Sequence, residues 1–143
     1  MRVGFHRIIA IALCIAACGR DDTGVDPPLT VSGSWSAVDA GALYDLHLSL
    51  TDQSGSISGQ WSGYKDTCTP LNSPGCRVNG TVPGGTRSGS DVILGLSPSS
   101  PCQVLNATIA VTFTDANTLS GTFTQHFCNA SDSPAAAITL KRQ

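Results

Sequence analysis

Asp45, His47 and Ser49 have the residue types of a catalytic set, because an acid, an imidazole and a hydroxyl make up a nucleophilic triad. They alternate along the chain, and alternate side chains of a β-strand share one face. Side chains two residues apart on a strand nevertheless lie roughly 6 to 7 Å apart, and no oxyanion hole accompanies these three. His126 is expected in a disulfide-pinned loop next to Cys128. We therefore expect a solvated strand face, no catalytic residue and no enzyme.

The N-terminal segment combines a basic start with a short apolar run. Arg2, His6 and Arg7 frame the start, and the apolar run occupies residues 8–17. That run is shorter than the roughly 20 apolar residues that span a bilayer. It predicts a signal-peptide helix at residues 1–17. The alternatives are an ordinary signal peptide cut after Ala17 and a buried core helix.

The sequence Ile15-Ala16-Ala17-Cys18, which closes this run, resembles the lipobox of bacterial lipoprotein precursors. The resemblance implies cleavage before Cys18, a diacylglyceryl thioether on its sulfur, and acylation of the new amino terminus by a fatty acid such as palmitate. Two or three acyl chains anchor a protein lastingly, since each buried methylene contributes about 0.8 kcal/mol. Family members that reach the outer membrane lack aspartate after the cysteine, and Gly19 meets that condition. The expected location is the cell envelope, with a lipid anchor in the membrane and the domain outside the cytoplasm.

Of the six cysteines, Cys14 belongs to the leader and Cys18 to the lipid anchor. The other four are Cys68, Cys76, Cys102 and Cys128. Thiols in an oxidising compartment pair, and four of them allow three connectivities. We favour a disulfide between Cys68 and Cys76, which closes a short loop rich in Pro and Asn. We also favour a disulfide between Cys102 and Cys128, which joins the loops on either side of one hairpin. A zinc site is the alternative, but the chain has no Cys-x-x-Cys pair and no nearby histidine set, so no metal is expected.

Composition indicates one small acidic domain. Without residues 1–17 the chain has six basic and ten acidic side chains, a net charge of −4 with neutral histidine, which leaves no basic face for nucleic acid. All ten acids are Asp, and abundant Gly, Ser, Thr and Pro favour strands and turns over helices. Residues 18–30 are polar and predict a lipidated cysteine followed by a flexible tether. Residues 31–143 then form a single domain, long enough for one modest core.

A pattern of apolar, polar, glycine, polar and apolar residues recurs four times. Its copies are Val31-Ser32-Gly33-Ser34-Trp35, Ile57-Ser58-Gly59-Gln60-Trp61, Val78-Asn79-Gly80-Thr81-Val82 and Leu119-Ser120-Gly121-Thr122-Phe123. In each copy the glycine shares a strand face with the two apolar residues, where it permits a bend or the close approach of another backbone.

Alternating apolar residues predict the strands. Residues 46–61 and 109–123 each predict a strand, a tight turn and a returning strand. Further strands are predicted at 92–96 and 136–141, whereas the glycine-rich segment 84–89 is predicted as a hairpin turn. The total is about eight strands.

About eight short antiparallel strands predict an all-β fold that closes into an up-and-down β-barrel, with a β-sandwich as the alternative. The sequences Gly33-Ser34-Trp35 and Gly59-Gln60-Trp61 resemble the openings of avidin-like and lipocalin-like barrels, over about residues 31–61. The biotin-holding residues of the avidin-like family have no counterparts that we can place on this chain, so no cofactor or biotin site is expected. The predicted inward residues are Trp35, Leu46, Leu48, Leu50, Ile57, Trp61, Val78, Val82, Val92, Leu94, Leu96, Ile109, Val111, Phe113, Leu119, Phe123, Ile138 and Leu140.

An eight-stranded barrel encloses either a filled core or one small ligand. The predicted inward side chains nearly fill it, but Trp35, Tyr44 and Trp61 are candidates to line a mouth for a small apolar ligand. The leading hypothesis is a membrane-anchored lipoprotein of the bacterial envelope whose barrel is a non-enzymatic binding or structural module. The alternatives are a carrier of a small apolar ligand and an inhibitor of an exported hydrolase, an envelope protein that it would bind through loops such as residues 66–77.

Overall fold

The chain folds into a closed antiparallel β-barrel. The computed structural model describes residues 29–41, 43–65, 68–70, 74–99, 106–127 and 131–143. Its strands are β1 (Gly33–Ala40), β2 (Leu43–Gln53), β3 (Ser56–Lys65), β4 (Arg77–Ser88), β5 (Asp91–Pro98), β6 (Asn106–Asp115), β7 (Thr118–His126) and β8 (Ala136–Arg142). Each strand pairs with its neighbour in sequence, and β8 pairs with β1. The predicted eight-stranded barrel is confirmed, and the sandwich alternative is wrong.

The segment before β1 is described only from Leu29 onward. The predicted signal peptide at residues 1–17 and most of the tether at 18–30 therefore lie outside the described residues. In the part that is described, no helix combines the length and the apolar character needed to cross a membrane.

The barrel has two different ends. We call one the turn end, since it holds the tight turns at residues 54–55, 89–90 and 116–117. The chain also enters β1 and leaves β8 at this end. We call the opposite end the loop end, because the other connections, including the one between β3 and β4, meet there.

The core follows from the alternation of apolar residues along every strand. Each predicted inward residue belongs to one hydrophobic cluster inside the barrel, with Val78 only partly buried. The cluster also contains residues that the alternation did not single out, namely Val31, Ala37, Ala40, Leu43 and Ala107. Both tryptophans lie within it, Trp35 fully buried and Trp61 2% exposed. Bulky side chains therefore occupy the interior.

The repeated glycines mark places where neighbouring backbones approach closely. A Cβ atom at Gly80 would collide with the carbonyl oxygen of Ser97 on β5, and one at Gly121 would collide with that of Ala110 on β6. A Cβ atom at Gly59 would likewise collide with the carbonyl oxygen of Ser49 on β2. The predicted close approach is confirmed at these three copies of the repeat.

The hairpin predicted at residues 84–89 is present, but its turn lies at the end of that segment. Strand β4 continues through Ser88, and the turn falls at residues 89–90, where Gly89 has a φ of 60°. The preceding glycines instead lie near a register shift between Thr81 and Gly85, and Gly85 pairs with strands on both sides. Glycine was a sound signal for irregular backbone, but here the irregularity is a bulge within a paired strand.

Arg142 closes the turn end of the barrel. Its guanidinium lies 4.3 Å from the ring centroid of Trp35 and donates hydrogen bonds to the carbonyls of Thr30 and Ser32, each at 2.6 Å. It also donates from Nε to the carbonyl of Ala116 at 3.3 Å. This one side chain ties the segment before β1 to the β6–β7 turn.

Candidate functional site

The three aromatic residues predicted to line a mouth lie on different faces of the barrel wall. Trp35 and Trp61 point inward on either side of Leu48, because the register pairs Trp35 with Leu48 and Leu48 with Trp61. The Trp61 indole donates to the carbonyl of Ser97 at 3.1 Å. Tyr44 lies on the outside and is 36% exposed. A ligand role for any of the three stays a prediction.

The outer face of β1 to β4 contains a depression of about 560 Å³, which we call the β1–β4 groove. This volume lies within the range of roughly 300 to 1,000 Å³ for small-molecule sites. Its outward lining consists of small hydroxyl side chains, two amides, a histidine and an arginine. These residues are Ser34, His47, Ser49, Gln60, Ser62, Arg77, Asn79, Thr81 and Ser99.

The strand register assembles the groove from rows of side chains that cross four strands. The first row contains Ser34, Ser49, Gln60 and Thr81, one from each of β1 to β4. A second row, nearer the loop end, contains Ser36, His47, Ser62 and Asn79. A third row contains Asp39, Tyr44, Tyr64 and Arg77. Because partners in register lie about 5 Å apart, each row forms a continuous polar strip.

The floor of the groove is low because its side chains are short. Ser34, Ser49 and Ser62 place only a hydroxymethyl group above the sheet, whereas the longer Gln60 and Arg77 rise beside them. Arg77 is exposed and, among the described residues, makes no ion pair or side-chain hydrogen bond. The groove therefore presents hydrogen-bonding groups to solvent.

The side chain of Asn79 is oriented by a hydrogen bond from Ser99. Its Oδ1 accepts a hydrogen bond from the Ser99 hydroxyl at 2.8 Å, and its carbonyl accepts one from the Ser99 amide at 3.0 Å. Since Oδ1 is engaged, the two N–H donors of the side-chain amide remain for a ligand.

Asp45 and His47 contact each other, contrary to the spacing expected from a regular strand. Asp45 has a φ of 51°, and the register of β2 on β3 shifts between Tyr44 and His47. This irregularity brings Asp45 Oδ1 to 3.1 Å from His47 Nε2, with both side chains about half exposed. Ser49 lies in the next row, beside Ser34 and Gln60. The predicted solvent-facing position of His47 is confirmed, whereas the predicted distance to Asp45 is wrong.

His126 lies at the end of β7 and not in a loop as expected. Its Nδ1 is 2.9 Å from Asp132 Oδ2, and its Nε2 is 2.8 Å from the hydroxyl of Thr108. A carboxylate, an imidazole and a hydroxyl are thus connected, as in a proton relay. Thr108, however, lies inside the paired sheet between β5 and β7, where backbone amides form the ladder and do not converge on an oxyanion site. The contacts instead hold the segment before β8 against the barrel.

The disulfide between Cys68 and Cys76 is confirmed, and it closes the loop that leads directly into Arg77. The loop end of the groove therefore adjoins a covalently closed loop. Cys18, Cys102 and Cys128 lie outside the described residues. In the described part of the chain, no group of three or more His, Cys, Asp or Glu side chains could hold a metal ion.

The repeat in the sequence also carries a signal for the groove. In three copies of the repeat, the polar residue after the glycine is Ser34, Gln60 or Thr81, and these three lie in the first row. The glycine and the inward residues of the repeat indicate a strand by themselves. The outward residues acquire a shared position only when the register of four strands is known.

The chain was compared with protein-family models, with curated proteins and with solved structures, and none of the three comparisons found a match. The groove is therefore interpreted from its own chemistry.

Proposed function

We propose that the protein is a lipoprotein of the bacterial envelope, anchored through Cys18, whose barrel is a non-enzymatic scaffold for binding. The observation with the most weight is the β1–β4 groove, a polar depression of about 560 Å³ on the outside of a barrel whose interior is occupied by side chains. Binding would take place on the outer wall.

The disulfide between Cys68 and Cys76 supports export. Disulfides persist in oxidising compartments and are rare in the cytosol. A lipid anchor at Cys18 would place the domain in such a compartment, so the two features agree.

The position of the first described residues supports a defined orientation on the membrane. Thr30 and Ser32 are held at the turn end by Arg142, so the tether would leave the barrel there. Only ten residues, 19–28, separate Cys18 from Leu29 in the sequence. The turn end would face the membrane, and the loop end, with the disulfide, would face away from it.

The same geometry bears on the alternative functions. A carrier of a small apolar ligand needs an empty interior, and both tryptophans fill part of it. An inhibitor of an exported hydrolase would use the loop at residues 66–77, which adjoins the groove at Arg77. The carrier is therefore the weaker alternative, whereas the inhibitor would use the same face.

Metabolic labelling with a palmitate analogue tests the anchor. The full chain is produced in a bacterium that processes lipoproteins, as wild type, Cys18→Ala and Cys14→Ala. We expect label on the wild type and on Cys14→Ala, which changes a thiol of the leader, and none on Cys18→Ala. An unlabelled wild type, or equal labelling of Cys18→Ala, would refute the anchor.

Site-directed photo-crosslinking in intact envelopes tests the binding face. A photoreactive residue is placed at Gln60 in the groove and, as the control, at Ile93, which is 52% exposed on β5. We expect a discrete adduct with an envelope component at Gln60 alone. The same adducts at both positions, or none at Gln60, would contradict binding in the groove.

A further inference from the structure

We propose that the β1–β4 groove binds a neutral oligosaccharide. This inference rests on the proposed function, since it names the class of ligand for the same groove. The hydrogen-bonding groups, the neighbouring tyrosines and the charge of this face support it.

Most of the hydroxyls and one of the two side-chain amides of the groove are free to serve a ligand, whereas Ser99 and Asn79 are paired with each other. Among the described residues, the side chains of Ser49, Gln60, Ser62 and Thr81 make no hydrogen bond within the protein. The outer face of β5 to β8 differs, because many of its hydroxyls are paired. Its pairs join Thr112 to Asp91, Thr108 to His126, Thr118 to Lys141 and Ser120 to Thr139. The two halves of the barrel wall therefore have different hydrogen-bonding capacity.

The groove offers donors and acceptors side by side, as sugar hydroxyls require. Each sugar hydroxyl both donates and accepts, so it is best served by amides and hydroxyls in pairs. Gln60 supplies both functions, and Asn79 keeps two donors for a ligand because Ser99 occupies its Oδ1. Nε2 of His47 faces Asp45 Oδ1 at 3.1 Å, which leaves Nδ1 of this ring for a ligand.

Two tyrosines extend the groove toward the loop end. Tyr44 and Tyr64 are directly opposite each other on β2 and β3, and Tyr64 is opposite Arg77 on β4. Their rings have an apolar body and a polar tip, which suits the C–H face and the hydroxyl edge of a pyranose. A linear saccharide that continues from the serine floor would reach this row.

The charges on this face favour a neutral ligand. Among the described residues that line the groove, Arg77 alone carries a permanent charge, and Asp39 lies at the β1 end of the same row. Asp45 adds a second carboxylate beside His47. Asp39 and Asp45 border the groove without lining it, and with Arg77 they give this face one positive and two negative charges, a net charge of −1 that disfavours an anionic sugar. Arg77 can donate two hydrogen bonds to neighbouring hydroxyls of a neutral sugar.

Size and composition disfavour a protein partner. A stable protein interface buries roughly 800 Å² on each side, around a core of apolar and aromatic residues. The outward lining of the groove consists of serine, threonine and amide side chains with His47 and Arg77, and it contains no large aliphatic residue. A saccharide needs a groove and not an extended apolar patch.

Calorimetric titration of the full chain tests the ligand class. The lipoprotein is purified in a detergent without a sugar headgroup and titrated with cellohexaose, maltohexaose, chitohexaose and, as the anionic probe, a hexamer of alginate. We expect saturable binding of at least one neutral hexamer, with an affinity that added salt leaves unchanged. Binding of the alginate hexamer alone, or of none of the four, would overturn the inference.

Matched variants locate the binding. Thr81 and Thr122 are exposed threonines that follow the glycine in two copies of the repeat, but only Thr81 lies in the groove. We expect Thr81→Ala to weaken binding about 3- to 5-fold and Gln60→Ala about 5- to 10-fold, and Thr122→Ala to leave it unchanged. Equal affinity of all variants would refute this location. Circular dichroism and thermal melting verify that each variant is folded.

The two proposals fail separately. A protein adduct at Gln60 in the crosslinking experiment, without binding of any neutral hexamer, would leave the groove as a binding face and refute the saccharide. The absence of both an adduct and saccharide binding would refute both proposals.

Discussion

Arg87 and Asp52 form a largely buried ion pair at the turn end, in which the guanidinium Nε donates to Asp52 Oδ2 over 2.6 Å. The carboxylate is only 2% exposed. It also accepts from the amides of Gly55 at 2.9 Å and Val31 at 3.4 Å. Burial alone would raise the pKa of Asp52, but these hydrogen bonds and the positive charge of Arg87 together hold it below its ordinary value. The pair joins β2, β4 and the segment before β1.

Replacing Asp52 by Asn will make the free energy of unfolding less sensitive to acidic pH. Because the pKa of Asp52 is lowered in the folded state, its contribution is complete above the unfolded value near 3.8 and is lost as the pH falls through the folded value. Urea unfolding at neutral pH should show a loss of about 2 to 3 kcal/mol for Asp52→Asn. The difference from wild type should shrink below about pH 4. Asp39→Asn, an exposed substitution on β1, is the control, and a constant difference at all pH values would contradict the prediction.

Replacing Gly121 by Ala will destabilise the barrel, because the added methyl group meets the carbonyl of Ala110. We expect a loss of about 1 to 3 kcal/mol in the free energy of unfolding, measured by urea denaturation. Gly84→Ala is the matched control, since nothing lies within 4 Å of its added Cβ. Its stability should change by less than about 1 kcal/mol. Similar losses at both sites would show that close approach is not the cause.

Replacing Arg142 by Lys will loosen the turn end. A lysine keeps the charge but cannot donate to the carbonyls of Thr30, Ser32 and Ala116 while stacking on Trp35. We expect a loss of about 1 to 3 kcal/mol by thermal or urea unfolding, together with a change in the near-ultraviolet signal of the tryptophan. Arg77→Lys should leave stability within about 0.5 kcal/mol of wild type. An unchanged melting temperature for Arg142→Lys would show that these contacts of Arg142 do not stabilise the turn end.

Cys102 and Cys128 are expected to form the second disulfide. In the sequence, Cys102 precedes the start of β6 and Cys128 follows the end of β7. Asn106 at the start of β6 is opposite His126 at the end of β7, so these two strand ends meet at the loop end. Peptide mapping of the unreduced protein should find Cys102 joined to Cys128 and Cys68 joined to Cys76. Free thiols at Cys102 and Cys128, or their pairing with Cys68 or Cys76, would contradict the prediction.

The strands and the core were predictable because alternation is a local property. A strand exposes every second side chain to the same face, so residues such as Leu46, Leu48 and Leu50 identify their inward face without any knowledge of the partner strand. The short loop between Cys68 and Cys76 was predictable for a similar reason, since closeness in sequence favours closure. The turn was misplaced at Gly84 because glycine serves bulges and turns equally well.

The candidate site was not predictable in the same way. Asp45 reaches His47 only because a bulge opposite β3 changes the direction of its side chain, and that bulge depends on pairing between strands. The sequence alone determined the strand faces and one disulfide, since each is encoded within about ten neighbouring residues. The tertiary structure decided that Ser34, Gln60 and Thr81 lie in one row, because pairing in register is a relation between residues far apart in the chain.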